Sequence, residues 1–313
     1  MNPLQDRDHG GGLDDAVARY GGTKSDWIDL STGINPQPYP LPELVAHDWT
    51  ALPDSAAVAR LEMAARAFWE VPDGAAVLAA PGASALIARI PGLRPPASVT
   101  IPGPTYNEHA AAFGAAGWRI GDNASEALVV VHPNNPDGRL WQGEPDGKRL
   151  TVIDESFCDV APQHSFVNFP GRPNTLVLKS FGKFWGLAGL RLGFAIGAPD
   201  LVARLAAALG PWPVSGPALA IGTAALTDTG WAQRTRDRIE RDANRLDTLL
   251  ARTGARPVGG TSLFRLYDVD NAPAWQSRLA RSRVWSRIFP YNDSWLRLGL
   301  PAADRWQQLE AAL

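Results

Sequence analysis

The chain has 313 residues and 45% hydrophobic content, enough for about two domains with a sizeable core, which excludes a disordered chain or a peptide-sized scaffold. Thirty basic and 32 acidic residues leave a formal charge of −2, so no global field draws nucleic acid or an anionic membrane, and any anion must be bound locally. A single cysteine, Cys158, excludes an internal disulfide and a thiolate metal cluster and fits a reducing compartment. Residues 1–13 are polar, with no signal-like apolar segment, and no run approaches about 18 apolar residues. The expectation is a soluble cytoplasmic protein with no membrane, nucleic-acid or metal partner.

In chain order, residues 55–71 are Ala-rich and amphipathic, with Asp54 or Ser55 as N-cap. The run AAVLAA at 75–80 reads as a buried strand ending in Pro81-Gly82. A helix over 83–90, a short strand over 98–101 and a helix over 106–117 follow. Three further strands are expected at 127–132, 150–153 and 175–178. All three are apolar throughout, so helices should cover both faces of their sheet. That pattern belongs to an open α/β sheet, with another strand at 192–197, a helix at 201–209 and a proline-rich break at 211–217. A long charged helix is expected at 229–253, its apolar stripe made by Ile239, Leu246, Leu249 and Leu250. Short strands at 262–267, 283–289 and 295–300 and a terminal helix suggest a smaller α+β unit. The division expected is an N-terminal arm over 1–45 joining the small domain, a large domain over 46–225 and a small domain over 226–313.

Ligands of an open α/β sheet lie at the carboxyl ends of its strands. Those ends are polar here: Gly82-Ala83-Ser84, then His132-Pro133-Asn134-Asn135-Pro136-Asp137-Gly138, then Asp154-Glu155-Ser156, then Lys179-Ser180-Phe181-Gly182-Lys183. Successive strands therefore offer a helix start, an amide, a carboxylate and an amine. Singly, each is more often a cap, a turn or a surface charge. The ordered set carries the inference. Lys179 reads as a residue flanking its strand rather than as the functional amine.

HPNNPDG, VIDES and SFGKFWGLAGLRLGF, in that order and spacing, resemble the pyridoxal-phosphate-binding motifs of the class I and II aminotransferase superfamily. The resemblance implies an α/β large domain with a mostly parallel sheet, a smaller α+β domain, a homodimer, and pyridoxal 5'-phosphate as cofactor. It implies that Lys183 forms the Schiff base and that Arg191, eight positions on, binds the cofactor phosphate. Asp154 would face the pyridine nitrogen and keep it protonated, making the ring an electron sink. Asn135 would donate to the ring oxygen and Tyr106 would stack on the ring. Gly82, Ala83, Ser84 and Ser180 would join Arg191 around the phosphate.

The N-terminal stretch His9-Gly10-Gly11-Gly12-Leu13, followed by DLSTGINP at 29–36, is similar to the start of the L-threonine-O-3-phosphate decarboxylases of cobalamin biosynthesis. Histidinol-phosphate aminotransferases share the INP-like turn and generally lack the HGG opening. The resemblance implies a phosphorylated amino-acid substrate held by His9, by the turn Gly33-Ile34-Asn35 and by Arg287 and Arg297. Arg297 sits between leucines in an apolar strand, where an unpaired guanidinium would be costly. The reaction implied is decarboxylation, with the substrate carboxylate held upright over the cofactor ring and Lys183 returning a proton.

Two departures stand out. Where relatives carry a Tyr-Pro pair reaching the partner subunit's cofactor phosphate, this chain reads Ala51-Leu52-Pro53-Asp54, and it is shortened between Gly121 and Ala127 and after Asp270. The alternative enzyme reading is a histidinol-phosphate or other amino-acid aminotransferase, which would depend on a 2-oxo acid. A non-catalytic binding module is disfavoured because Lys183, Asp154 and Arg191 are all present.

Overall fold

The computed structural model describes residues 9–121, 125–167 and 173–313, so part of the shortened stretch after Gly121 and most of the polar N-terminal tail lie outside the described residues. The chain forms two compact units. One holds the N-terminal segment up to Gln37, Pro136–Gly138 and Arg234–Leu313; the other holds Pro38–Asn135 and Arg139–Gln233.

The N-terminal segment forms helix α1 (Leu13–Tyr20) and the short strand β1 (Ile28–Asp29). Both were unanticipated, because α1 is short and lacks a side-chain cap. Its Ala16 packs with Trp27, Tyr20 and Trp285 in a small aromatic cluster.

The second unit begins with α2 (Ala46–Thr50) and α3 (Ser55–Phe68), the latter capped by Asp54, whose carboxylate accepts from the Ala57 amide at 2.6 Å. Such a cap is worth about 1 kcal/mol. Strand β2 (Ala76–Ala80), α4 (Ala83–Arg89), β3 (Ser98–Thr100), α5 (Asn107–Ala115), β4 (Arg119–Ile120) and β5 (Ala127–Val131) follow. Next come β6 (Leu150–Asp154), β7 (Thr175–Ser180), β8 (Gly193–Gly197), α6 (Pro199–Leu209) and α7 (Gly216–Thr227). Among the described residues the strands make one seven-stranded sheet of order β2-β8-β7-β6-β5-β3-β4. It is parallel from β4 through β7, and β8 runs antiparallel between β7 and β2. The apolar runs are explained by a core in which Val129, Val152, Leu176 and Leu178 meet Leu86, Ile90, Phe113, Leu201 and Leu205. Each such side chain removed from water contributes about 1.5–3 kcal/mol.

Helix α7 corrects the proline-rich break. Pro217 lies in its first turn, where the missing N–H has no intrahelical partner to lose, and Ser215 caps it by accepting from the Ala218 amide. The break ends where the helix begins.

Helix α8 (Thr229–Ala251), which belongs to the first unit from Arg234 onward, buries Ile239, Leu246 and Leu250, with Leu249 half-buried. Strands β9 (Arg256–Thr261) and β10 (Phe264–Asp268), helix α9 (Ala272–Arg281), strands β11 (Val284–Trp285), β12 (Arg287–Phe289) and β13 (Asn292–Gly299), and helix α10 (Trp306–Ala312) complete it. An antiparallel sheet of order β12-β13-β10-β9 forms there, and β1 pairs in parallel with β11. β9 and α9 lack sequence signals strong enough to announce them: β9 contains Pro257, Gly259 and Gly260, and α9 opens on Ala-Pro after its Asn271 cap. Among the described residues, no helix is long and apolar enough to cross a membrane.

Candidate active site

In the second unit a pocket opens at the carboxyl ends of β2, β5, β6 and β7. Its lining includes Ala83, Ser84, Tyr106, Asn135, Asp154, Ser180, Lys183 and Arg191. Gly82 is the residue before α4 and adopts φ +86, ψ 156, a backbone region open to little besides glycine. A Cβ at Gly82 would lie 2.7 Å from Arg191 Nη2, so the missing side chain is what lets the guanidinium close on the helix start. Arg191 itself takes a left-handed conformation (φ 53), with Nη1 bonded to the Ala188 carbonyl at 3.1 Å. The backbone strain at this residue aims its cation.

Asp154 is the last residue of β6 and is almost fully buried. Burial opposes its charge. Hydrogen bonds outweigh that cost: His109 Nε2 donates to Oδ2 at 2.8 Å, while the Ser156 hydroxyl and amide donate to Oδ1 at 2.6 and 3.0 Å. The carboxyl is therefore held below its ordinary pKa. His109 and Ser156 escape a reading of the sequence alone, though His109 lies one helical turn after Tyr106 and Ser156 is the last residue of VIDES. Tyr106 is pushed up to about 12, first by burial and then by the nearby charges of Asp154 and Glu108, and it stays a phenol.

The two asparagines of PNNP separate. Asn134 is structural, accepting from Thr105 Oγ1 at 2.6 Å and donating to the Pro104 carbonyl at 3.0 Å, while Asn135 lines the pocket. Lys183 Nζ also lines it and lies 5.3 Å above the Phe157 ring.

Lys179 does not flank its strand. It lies inside β7, only 1% exposed, with Nζ 2.6 Å from Glu155 Oε2 and 3.5 Å from Asp159 Oδ1. Burial would lower its pKa, but the two carboxylates reverse that and keep it protonated. Glu155 also accepts from Ser165 Oγ and the Phe166 amide, and Asp159 from the indoles of Trp69 and Trp185 at 2.9 and 3.1 Å. Trp185, two positions after Lys183, stacks on Phe181 at 5.0 Å. The buried ions thus anchor the turn that bears Lys183.

In the first unit, Arg287 and Arg297 face each other across the β12–β13 ladder. Two cations in directly paired positions repel, an arrangement suited to sharing an anion. Arg297 is 5% exposed, with Nη2 donating to the Ser31 carbonyl at 2.6 Å. The HGGG opening is not a free arm: Gly11 N–H donates to Ser31 Oγ at 2.6 Å, and Trp285 Nε1 donates to the Gly11 carbonyl at 2.9 Å. His9 therefore adjoins the segment that Arg297 touches. Asn35 is buried, its Oδ1 accepting from Arg238 Nη2 at 2.5 Å and from the Gln37 amide at 3.1 Å, in the same turn as Gly33 and Ile34.

The pocket's chemistry fits the pyridoxal phosphate that the motifs imply. It offers a primary amine, a buried ionised carboxylate, an aromatic face, and a guanidinium with hydroxyls beside a glycine whose absent Cβ leaves room.

Comparison with known proteins agrees with this geometry. Residues 120–313 match the family model for aminotransferase class I and II. A threonine-phosphate decarboxylase from Sinorhizobium sp. is 40% identical, covering 95% of this chain and 95% of that protein. Another from Pseudomonas aeruginosa is 39% identical, covering 98% and 97%. The solved histidinol-phosphate aminotransferase from Sinorhizobium meliloti, in complex with pyridoxal-5'-phosphate, superposes with a TM-score of 0.84 at 18% identity, covering 100% of this chain and 96% of that one. On the family model and on relatives this similar over nearly their whole length, the chain belongs to the class I and II aminotransferase family and, within it, to the threonine-phosphate decarboxylases.

Proposed function

We propose that the chain is a pyridoxal-phosphate-dependent lyase that decarboxylates L-threonine O-3-phosphate to (R)-1-aminopropan-2-yl phosphate for cobalamin biosynthesis. The observation that carries this reading over an aminotransferase is 40% identity to a threonine-phosphate decarboxylase across 95% of both chains. When bound, the cofactor supplies a conjugated ring that accepts the electron pair of whichever α-carbon bond stands perpendicular to it.

The protein's residues decide the rest. Lys183 would hold the cofactor through its amine, and that amine, when protonated, is the pocket group that would return a proton to the substrate α-carbon. Asp154 stays ionised and keeps the proton on the pyridine nitrogen. Tyr106 would cover the cofactor ring, Asn135 would donate to its oxygen, and Gly82, Ala83, Ser84, Ser180 and Arg191 would hold its phosphate. His9 and Arg287 bind the substrate's phosphate, Arg297 its carboxylate, and Gly33, Ile34 and Asn35 line the substrate. Fixing both ends of the substrate holds the carboxylate, rather than the α-hydrogen, upright. The cofactor residues fall in the large domain of 46–225, and the substrate residues in the arm of 1–45 and the small domain of 226–313.

The enzyme is further proposed to be a cytoplasmic homodimer. Supporting this, exposed Leu41, Val45, Trp49, Leu52 and Met63 crowd one stretch of the second unit. Leu52 replaces the expected tyrosine at a position suited to an apolar interface.

The test is to incubate holoenzyme with L-threonine O-3-phosphate and follow CO2 with and without 2-oxoglutarate. CO2 release independent of the oxo acid is expected. Keto product in proportion to 2-oxoglutarate, without CO2, would overturn the reading. Sedimentation of the same preparation should give a dimer, and a monomer would refute that part.

A further inference from the structure

We infer that Ser31 and Trp285 form a two-point latch that orders the His9 arm and so sets selectivity for a phosphorylated ligand. Ser31 is 1% exposed, and its backbone amide and hydroxyl both donate to Asp29 Oδ1, at 2.9 and 2.5 Å. With its proton committed to Asp29, the hydroxyl oxygen can only accept, and it accepts the Gly11 N–H at 2.6 Å. The Gly11 carbonyl is held from its other side by Trp285 Nε1 at 2.9 Å. Trp285 is itself fixed by edge-on contact with Trp27 at 6.2 Å and by the pairing of β11 with β1.

The approach is too close for any side chain at position 10. A Cβ on Gly10 would lie 2.5 Å from the Ser31 carbonyl oxygen. That same oxygen accepts from Arg297 Nη2 at 2.6 Å. One short segment, Leu30 to Thr32, therefore carries the arm and Arg297 together, and it is seated on β13 by the Gly299 N–H to Leu30 carbonyl bond of 2.7 Å. A run of three glycines is conformationally free, and the entropy of ordering it would otherwise weaken ligand binding. The latch orders the arm beforehand and fixes His9, two residues before Gly11, close to the Ser31 segment that Arg297 touches. Ser31 and Trp285 are positioning residues, acting through His9.

This inference rests on the proposed role of His9 in binding phosphate. The experiment compares wild type, Ser31→Ala and Trp285→Phe holoenzymes by hydrogen exchange of residues 9–12 and by the visible-absorption change on titrating L-threonine O-3-phosphate or L-threonine. Ser31→Ala removes the hydroxyl's bonds with Asp29 and Gly11, Trp285→Phe removes the indole's bond to the Gly11 carbonyl, and each keeps most of its side chain's bulk. Faster exchange over residues 9–12 is expected in both, with roughly three- to tenfold weaker binding of the phosphorylated ligand and unchanged binding of L-threonine. Unchanged exchange, equal weakening of both ligands, or a wild type without preference for the phosphorylated one overturns the latch. The absorption change reports binding whether the ligand is then decarboxylated or transaminated. A wild type that binds selectively yet releases no CO2 would thus refute the reaction and spare the latch.

Discussion

Lys179 and Lys183 stand four residues apart in one motif and do unlike chemistry because the sheet separates them. Lys179 is locked as a cation between Glu155 and Asp159, while Lys183 lies in the pocket above the Phe157 ring. A protonated, fully buried amine has no lone pair with which to attack an aldehyde. Borohydride reduction of the yellow holoenzyme, which should absorb above about 400 nm, is therefore expected to label Lys183 alone on peptide mapping. Label on Lys179 would refute the assignment. The sequence singles out Lys183 through its spacing to Arg191, but nothing in it announces that Lys179 is buried, because Glu155 and Asp159 become its partners only once β6 and β7 pair.

At the scale of elements, the site is the set of turns that leave β2, β5, β6 and β7, and the turn after β2 brings backbone and guanidinium together at Gly82. Gly82 carries both a positive φ and a close guanidinium. In Gly82→Ala the new Cβ must displace Arg191 or the backbone must leave its conformation, at about 1–3 kcal/mol. Cofactor affinity is expected to fall by roughly 5- to 150-fold, read by titrating apoenzyme with pyridoxal phosphate, with little change in melting temperature. Unaltered affinity would show that the close approach does not serve the cofactor.

For the whole molecule, stability should depend on pH through His132, which is 1% exposed. Its Nε2–H donates to the His164 carbonyl at 2.8 Å and its Nδ1 accepts from the Trp141 amide at 3.0 Å, so the ring is bound as neutral imidazole. Burial depresses its pKa below the ordinary value. A depressed histidine means that the unfolded chain takes up a proton near pH 6.5 while the folded one does not. Stability is therefore full above about pH 6.5 and is lost as pH falls from there towards the folded value. The melting temperature should drop between about pH 7 and 5.5, and in His132→Asn the slope should flatten even though the variant is less stable throughout. An equal slope in both proteins would assign the dependence elsewhere.

The sequence by itself determined where six of the seven strands of the large sheet lie along the chain, the family, and the amine, carboxylate, amide and guanidinium of the pocket, because each of these is written in contiguous apolar runs or in fixed spacings along the chain; the two-residue β4 and the order of the strands in the sheet were left to the tertiary structure. It left open every partner that arises between segments distant in sequence. His109 meets Asp154 across 45 residues, Trp185 meets Asp159 across 26, and the Gly11 carbonyl meets Trp285 across 274. Helix α7 was hidden for a related reason. Its Pro217 and its two glycines resemble a loop, and burial of Leu219, Ile221 and Leu226 in the tertiary core overrides that local preference. Residue identity determines what a group can do chemically; which charge, hydroxyl or ring stands beside it is decided only when the sheets close and bring those segments together.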